Sequence, residues 1–426
     1  MDFTRTYMAK RLKDLHRRIC TLDNIEIADE NARKHKSNNW GIKKHDRHKD
    51  ADNVRLLESL TNLIYKTSEY STFEIYEPKK RIIYRLSYFP DRIAHHAIMN
   101  IMEPIWVNIF IENTYSCIKN RGIHKLVKDL KKVLKNDPEG TVYCLKLDVK
   151  KFYPSIDHDV LKRILRKKIK DEEVLMALDE IIDSTDGVPI GNYLSQFFAN
   201  LTLAYFDHWM KEEVKVKYYF RYADDITILS NSKEFLRTVL ILIKMYFHHE
   251  VNLELKNNYQ IFPVDSRGID FVGYKFYHTH TLLRKSIKYR IFRLINKYKT
   301  NKISKESLEI RMHAYFGWLK HCDSKNLLTK IEEETGLHFS NWNGVEEKIS
   351  HFYGREIRVT EVVPYSRYFR INFLYEKVSY TMISKSKGLY YLLMSNKFPT
   401  NFKIKEHVRS KENRNQSGTQ ENRVPW

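Results

Sequence analysis

Asp224 and Asp225 stand side by side between Tyr218-Tyr219-Phe220-Arg221-Tyr222 and Ile226-Thr227-Ile228-Leu229-Ser230. Both flanking runs are rich in aromatic and β-branched residues, which predicts two strands joined by a tight turn, with acids at the tip of the hairpin. Neighbouring carboxylates repel each other, and a hard divalent cation is the usual means of holding them together. Asp is also a common turn residue, so a solvated Asp-Asp turn is the plain alternative. A third acid shifts the balance, because Thr141-Val142-Tyr143-Cys144-Leu145-Lys146-Leu147-Asp148-Val149 reads as a largely buried strand ending in a carboxylate. If that strand lies beside the hairpin, Asp148, Asp224 and Asp225 converge. Such a cluster suits two divalent cations about 4 Å apart, one activating a 3′-hydroxyl and the other holding a triphosphate and its leaving group. A second hairpin, Phe73 to Leu86, carries Lys79, Lys80 and Arg81 at its tip and can close over phosphates. The chemistry implied is nucleotidyl transfer.

The elements that must position these residues follow from periodicity and breakers. Helices are predicted over Thr4 to Cys20, Val54 to Tyr65, Pro90 to Ile111 (interrupted near Pro104), Val160 to Ile169 behind an Asp157 N-cap, Leu175 to Ser184, Ser195 to Val214 and Phe235 to His249. Asn31 to Asp52, with His35, His45 and His48, reads as a solvated basic loop. Ile269 to Phe276 reads as a short hydrophobic hairpin, and Ser286 to Tyr298 and Ser304 to Leu319 as two helices, the first strongly basic. The order of strands and helices resembles a split β-α-β arrangement, an α+β fold in which an antiparallel sheet is backed by helices. From about Gly344 the texture becomes that of a small β module, with Tyr365, Tyr368 and Phe369 interleaved with Arg367 and Arg370, followed by a polar tail predicted to be disordered.

The whole chain narrows the partner. Lys and Arg number 74 against 53 Asp and Glu, a net charge of +21 with 13% aromatic residues, which points to a nucleic acid. Cys20, Cys117, Cys144 and Cys322 are widely spaced and form no zinc or disulfide pattern, which fits a reducing compartment. The first ten residues lack an apolar signal core, and no run is long enough to cross a bilayer, so a cytoplasmic protein without membrane partners is expected.

Arg221-Tyr222-Ala223-Asp224-Asp225 resembles the signature of reverse transcriptases. Four further blocks resemble that family in order: Leu147 to Ile156 the first catalytic-acid block, Lys79-Lys80-Arg81 with Pro90-Asp91-Arg92-Ile93 the fingers, Lys256 the palm lysine, and Phe271-Val272-Gly273-Tyr274 the primer grip. The resemblance covers about Glu69 to Cys322 and implies a right-hand polymerase with fingers, palm and helical thumb. On that basis the chain divides into a basic helical extension (residues 1–70), fingers (71–140), palm (141–280, with fingers elements at about 160–195), thumb (281–343), C-terminal β module (344–400) and tail (401–426).

The same resemblance implies metal ligation by Asp148, the Val149 carbonyl and Asp224, with Asp225 completing the cluster around two Mg2+ ions, Mn2+ being the alternative. It places Lys79, Lys80, Arg81, Tyr153, Ile190, Gly191, Gln196 and Lys256 around the nucleotide. Tyr153 falls at the steric gate against a 2′-hydroxyl, with core packing as its alternative role, and Lys256 falls near the pyrophosphate. Arg121, Phe271, Gly273, Tyr274, Lys285, Lys288, Arg290 and Arg293 are expected along primer and template. Partners are then a template RNA, the RNA–DNA hybrid and dNTPs.

Where most of the family has Gln-Gly-x-x-x-Ser-Pro, this chain has Ile190-Gly191-Asn192-Tyr193-Leu194-Ser195-Gln196. That departure resembles the reverse transcriptases of diversity-generating retroelements, which copy a template RNA with frequent errors at adenines. The subfamily implies an accessory variability protein, a small basic oligomer. An intron-associated or phage-defence reverse transcriptase is the alternative enzyme, and a non-catalytic RNA-binding scaffold the alternative of another class.

Overall fold

Cross-strand pairing places the acids before any side chain is considered. The computed structural model describes residues 11–34, 36, 38–76 and 80–337, together with strands at 356–364, 369–375, 378–384 and 400–403. Its central sheet is four-stranded and antiparallel, in the order Tyr218–Tyr222, Asp225–Ser230, Tyr143–Asp148, Gln260–Pro263. The register sets Asp148 opposite Asp225, Lys146 opposite Thr227 and Tyr222 opposite Asp225. Because strand side chains alternate, Asp148, Lys146, Asp225 and Thr227 share one face, while Leu145, Leu147, Ile226 and Ile228 point to the other. Those four apolar residues are at most 1% exposed and join one core with Leu236, Val239, Ile243 and Phe247 of the helix Lys233–Glu250. The helix-backed antiparallel sheet expected of a palm is present.

Local capping starts the backing helices where the sequence predicts. Asp157 accepts from the Val160 amide at 3.0 Å and opens His158–Lys168, and Ser232 accepts from the Phe235 amide at 3.1 Å and opens Lys233–Glu250. Two expectations are corrected. Pro104 does not interrupt its helix, which runs unbroken over Ile93–Val107 with the proline in its last turn. The expected helix Ser195 to Val214 is instead two, Tyr193–Thr202 and Ala204–Glu212, meeting at Leu203. On a straight helix Asn200 and Asp207 would lie about 10 Å apart along the axis. The break at Leu203 lets both reach the guanidinium of Arg221.

Helices Leu22–Arg33 and Lys49–Thr61 pack together, and the former lies against Ile93–Val107. The helix expected over Thr4 to Cys20 is corrected, since among the described residues it is only Leu15–Ile19: Leu12 bridges Ile169 in extended backbone and Asp14 holds φ at +58°, while residues 1–10 lie outside the described residues. The solvated loop expected around His45 is also corrected. Trp40–His45 is a helix, and His45 is 1% exposed because its Nδ1 pairs with Asp52 Oδ2 at 3.0 Å and its ring stacks on Phe89. His35 lies outside the described residues. The cationic hairpin pairs Ser71–Tyr76 with Lys80–Arg85, and Lys79 lies outside the described residues.

Ile269–Phe271 and Tyr274–Phe276 form the expected hairpin, which Thr281–Leu283 extends to three strands. By contacts the chain separates into residues 1–289 with 317–323 and residues 290–316 with 324–426. In the latter, Lys325–Thr335 is a helix that periodicity did not reveal, and its Glu334 pairs with Lys299 at 3.2 Å. The C-terminal strands form one antiparallel sheet in the order Val378–Ser384, Phe369–Tyr375, Glu356–Pro364, Thr400–Lys403. Tyr365, Arg367 and Tyr368 lie outside the described residues, as does the tail beyond 403. No helix among the described residues is long and apolar enough to cross a membrane.

Candidate active site

The acidic turn is held from beneath by a buried ion pair. Arg221 and Asp207 are both 0% exposed. The guanidinium donates from Nε to Oδ1 and Oδ2 of Asp207 at 2.7 and 2.9 Å and from Nη2 to Oδ2 at 2.5 Å. Tyr219 Oη and Thr114 Oγ1 donate to the same carboxylate at 2.5 and 2.9 Å. Arg221 Nη1 then donates to Asn200 Oδ1 at 3.2 Å and to the Ala223 carbonyl at 3.0 Å. Ala223 holds φ at +54°, a conformation that costs an L-residue roughly 1–2 kcal/mol. A fixed donor on its carbonyl helps keep the turn in that shape, with Asp224 beside it.

On the sheet face, each of two acids has a lysine. Lys256 Nζ lies 2.6 Å from Asp148 Oδ2, and its amide donates to the Asp148 carbonyl at 2.9 Å. Leu255 bridges Val149, so pairing continues past the end of the strand and brings Lys256 to the acid. Lys146 Nζ pairs with Asp225 Oδ1, lies 3.3 Å from Thr227 Oγ1 and sits 3.9 Å from the centre of the Phe271 ring. Among the described residues no cation pairs with Asp224, and burial, then the neighbouring Asp148, push its pKa up to about 6. Asp225 is also raised by burial, against the opposing pull of Lys146.

The expected convergence is therefore only partly realised. Among the described residues no group of three or more His, Cys, Asp or Glu side chains is arranged to hold a metal ion, since Asp225 is turned to Lys146. Asp148 and Asp224 come close enough for a protonated Asp224 to hydrogen-bond Asp148, and among the described residues no other group donates to the buried Asp148 Oδ1. A lone buried oxygen beside a carboxyl that resists ionisation is an environment that a cation would relieve. The pair Asp148 and Asp224 fits a divalent ion on that ground.

Of the nucleotide candidates, Lys256 pairs with Asp148, and Tyr153 lies near Asp224 and Arg81. Tyr153 is half-buried, and burial, then Cys117 and Asp224, hold its hydroxyl protonated while Arg81 opposes them, so these side chains share one electrostatic field. Arg81 is exposed, whereas Lys80 is engaged by Glu74 at 2.6 Å. The Ile190 carbonyl accepts from the Tyr84 amide at 2.8 Å, which fastens the departing segment to the cationic hairpin. Gly191, at φ +128°, approaches so closely that a Cβ would collide with the Tyr84 carbonyl oxygen. Gly191→Ala should therefore destabilise the protein by about 2 kcal/mol or more in a denaturant titration. An unchanged midpoint would show that the hairpin is not docked there. Gln196 is exposed on the helix that follows.

The primer and template candidates divide. Lys285, Lys288, Arg290 and Arg293 are exposed along one helix, Lys285–Lys299. Phe271, Gly273 and Tyr274 are packed inside the protein. Both aromatic side chains are 0% exposed; Phe271 receives Lys146 and Tyr274 donates to the Trp318 carbonyl at 3.0 Å. Gly273, at φ +90°, is needed because a Cβ would strike the Trp318 ring. Arg121 Nη1 donates to the Ile111 and Thr114 carbonyls at 2.5 and 3.0 Å and ties a loop. The residues that sequence reasoning missed are Asp207, Asn200 and Lys146. Lys146 had a usable signal, a charge two positions before Asp148 in an otherwise apolar strand.

Residues 77–276 match the family model described as reverse transcriptase (RNA-dependent DNA polymerase). Protein YkfC of Escherichia coli (strain K12) is 22% identical over 250 residues, which are 48% of this chain and 64% of YkfC. The retron Ec73 reverse transcriptase of Escherichia coli is 26% identical over 275 residues, 60% of this chain and 84% of that protein. Among solved structures, telomerase from Candida tropicalis in complex with a fragment of telomeric RNA matches with a TM-score of 0.40 at 11% identity, covering 62% of this chain and 55% of that one.

Proposed function

From the premise that residues 77–276 are a reverse transcriptase segment, we propose that the chain is an RNA-directed DNA polymerase of the diversity-generating type. The observation that carries the activity is the register of Asp148 against Asp225, with the Asp224 carboxyl beside Asp148 and no other donor to the buried Asp148 Oδ1 among the described residues. Asp148, the Val149 carbonyl and Asp224 are the groups that would hold two divalent cations, magnesium or, alternatively, manganese. When bound, these ions supply charge neutralisation at the triphosphate and a lowered pKa at the primer 3′-hydroxyl.

The protein's own groups do the rest. Arg81, with Lys79 and Lys80, binds and orients the triphosphate, and Tyr153 closes the pocket against a 2′-hydroxyl. Lys256 stands within reach of Asp148 and can deliver a proton to the departing pyrophosphate. Asp225 serves as counter-ion to Lys146, which links the acid hairpin to Phe271. The exposed cations of Lys285–Lys299 grip the RNA–DNA hybrid through its phosphates. The test is extension of a DNA primer on an RNA template with dNTPs and magnesium; a protein that binds the hybrid but never extends it is the scaffold instead.

The subclass rests on Ile190, an apolar residue where most of the family places Gln. Removing a polar group that orients the incoming sugar weakens discrimination between competing transition states, by about tenfold for a contact of ~1.4 kcal/mol. Ile190→Gln should lower misincorporation opposite template adenines by about tenfold, read by sequencing the cDNA. Faithful copying of adenines by the unaltered protein would instead favour a retron or intron type, a second reading supported by the 84% coverage of the retron Ec73 enzyme. In the leading reading the enzyme works with an accessory variability protein, a small basic oligomer.

A further inference from the structure

We propose that the helix Ile123–Asn136, with the segment Gly317–Asp323 that closes the helix Lys305–Leu319 and forms the loop after it, is a second RNA-binding surface that takes the phosphate backbone of a folded RNA segment outside the stretch being copied. The proposal rests on the polymerase reading. Its observations are separate from the acids.

The helix buries Leu126, Val127, Leu130 and Leu134, each at most 1% exposed, and packs along the edge strand Tyr218–Tyr222. At one end the Gly122 amide donates to the Tyr115 carbonyl at 2.8 Å, and the Tyr115 amide donates to the Arg221 carbonyl at 3.1 Å. At the other end Asp137 pairs with Lys217 at 2.8 Å. The helix therefore runs from the acid end of the strand to its opposite end.

Flanking the buried side, His124, Lys128, Lys131 and Lys135 recur at i, i+4, i+7 and i+11. They form one stripe about 16 Å long, with Lys132 beside it. The single acid of this helix, Asp129, is taken by Lys125 at 2.7 Å and by the Tyr115 hydroxyl at 2.9 Å. No ion pair is made by Lys128, Lys131, Lys132 or Lys135 among the described residues, although Lys66, Lys150, Lys162 and Lys217 each have a carboxylate.

The stripe continues onto the loop. His124 stacks on His321 with ring centroids 4.0 Å apart. Burial, then His124, Lys320 and Lys131, lower the pKa of His321. The loop is fixed in place, since Tyr274 donates to the Trp318 carbonyl and the Thr281 amide donates to Asp323 at 2.7 Å. Cations assembled on a firm scaffold without acids to neutralise them are complementary to a row of phosphates. A rigid polyanion such as an RNA helix matches a straight stripe of this length, whereas a basic partner protein would be repelled from it.

The experiment uses the full chain and two probes, a short primer–template hybrid and the same hybrid carrying a synthetic RNA hairpin on its template strand. Binding is read by fluorescence anisotropy across a salt series. For the triple variant Lys128→Gln, Lys131→Gln, Lys135→Gln, the hairpin-bearing probe should bind about tenfold more weakly near 0.1 M salt, with the slope of log K against log salt smaller by about 2. Binding and extension of the short hybrid should be unchanged. Equal affinity of variant and unaltered protein for the hairpin probe overturns the proposal, as does equal weakening on both probes, which would assign the stripe to the copying cleft. If the unaltered protein extends neither probe but loses hairpin affinity on substitution, the polymerase reading fails and the RNA surface stands.

Discussion

Replacing Asp224 by Asn should lower nucleotide incorporation by about 10³-fold, equivalent to ~4 kcal/mol of transition-state stabilisation, while making the metal-free protein more stable at neutral pH. The two effects have one cause. Burial and Asp148 raise the Asp224 pKa from 3.8 to about 6, so the folded protein holds this proton more tightly than the unfolded chain does. For a carboxyl raised in this way, stability falls as pH climbs from about 4 and the penalty is complete above about 6. Asn carries no charge to desolvate, so in the presence of a chelator Asp224→Asn should gain on the order of 2 kcal/mol at pH 7.5 and almost nothing at pH 4. Denaturant titrations at the two pH values, beside single-nucleotide extension, check both halves. A variant that loses activity and stability together would mean that Asp224 supports the fold, and the assignment of the acid pair to chemistry would fall.

Local and cross-strand patterns made much of this site legible, and long-range burial hid the remainder. The hairpin at Asp224 announces itself because strand-forming runs flank two acids, and Asp148 because an apolar strand ends on one. Their pairing follows from the antiparallel register, and the Asp157 cap from its position before a periodic segment. Asp207 is different. It sits in an apolar stretch with no local partner, and its role appears only when a break at Leu203 and a strand 14 residues later bring it to Arg221. Phe271 and Tyr274 carry the primer-grip pattern, but the pattern does not say that a third strand and Trp318 would cover them. Lys146 fails for the same reason, since its partners come from two different hairpins. His45 looked solvated by composition and is buried because Asp52 gives its Nδ1 a partner. Sequence patterns specify which residues face inward along one element; they do not specify which distant group meets them.

The largest structural effect should come from that distant group. Asp207→Ala leaves the Arg221 guanidinium without a counter-charge at 0% exposure, and removes the acceptor for Tyr219 and Thr114. Breaking a buried pair from one side costs about 3–5 kcal/mol, much of it the stranded charge. Such a loss could hide any role in chemistry behind simple unfolding, so a second variant is needed to separate them. Asp207→Leu combined with Arg221→Met removes both charges and fills the space with apolar side chains, an exchange that is often close to neutral for stability. The double variant should therefore melt far closer to the unaltered protein than Asp207→Ala does. Its incorporation rate should nevertheless stay at least about tenfold down, the equivalent of ~1.4 kcal/mol, because the Ala223 carbonyl has lost its fixed donor and a small misplacement of a catalytic group is costly. The defect should lie in kcat and leave the KM for nucleotide largely unchanged, since Arg221 touches the turn that presents Asp224 and not the triphosphate cations. Full activity in the double variant would make the ion pair a matter of stability alone; a folded but slow enzyme makes it the device that sets the position of the acidic turn.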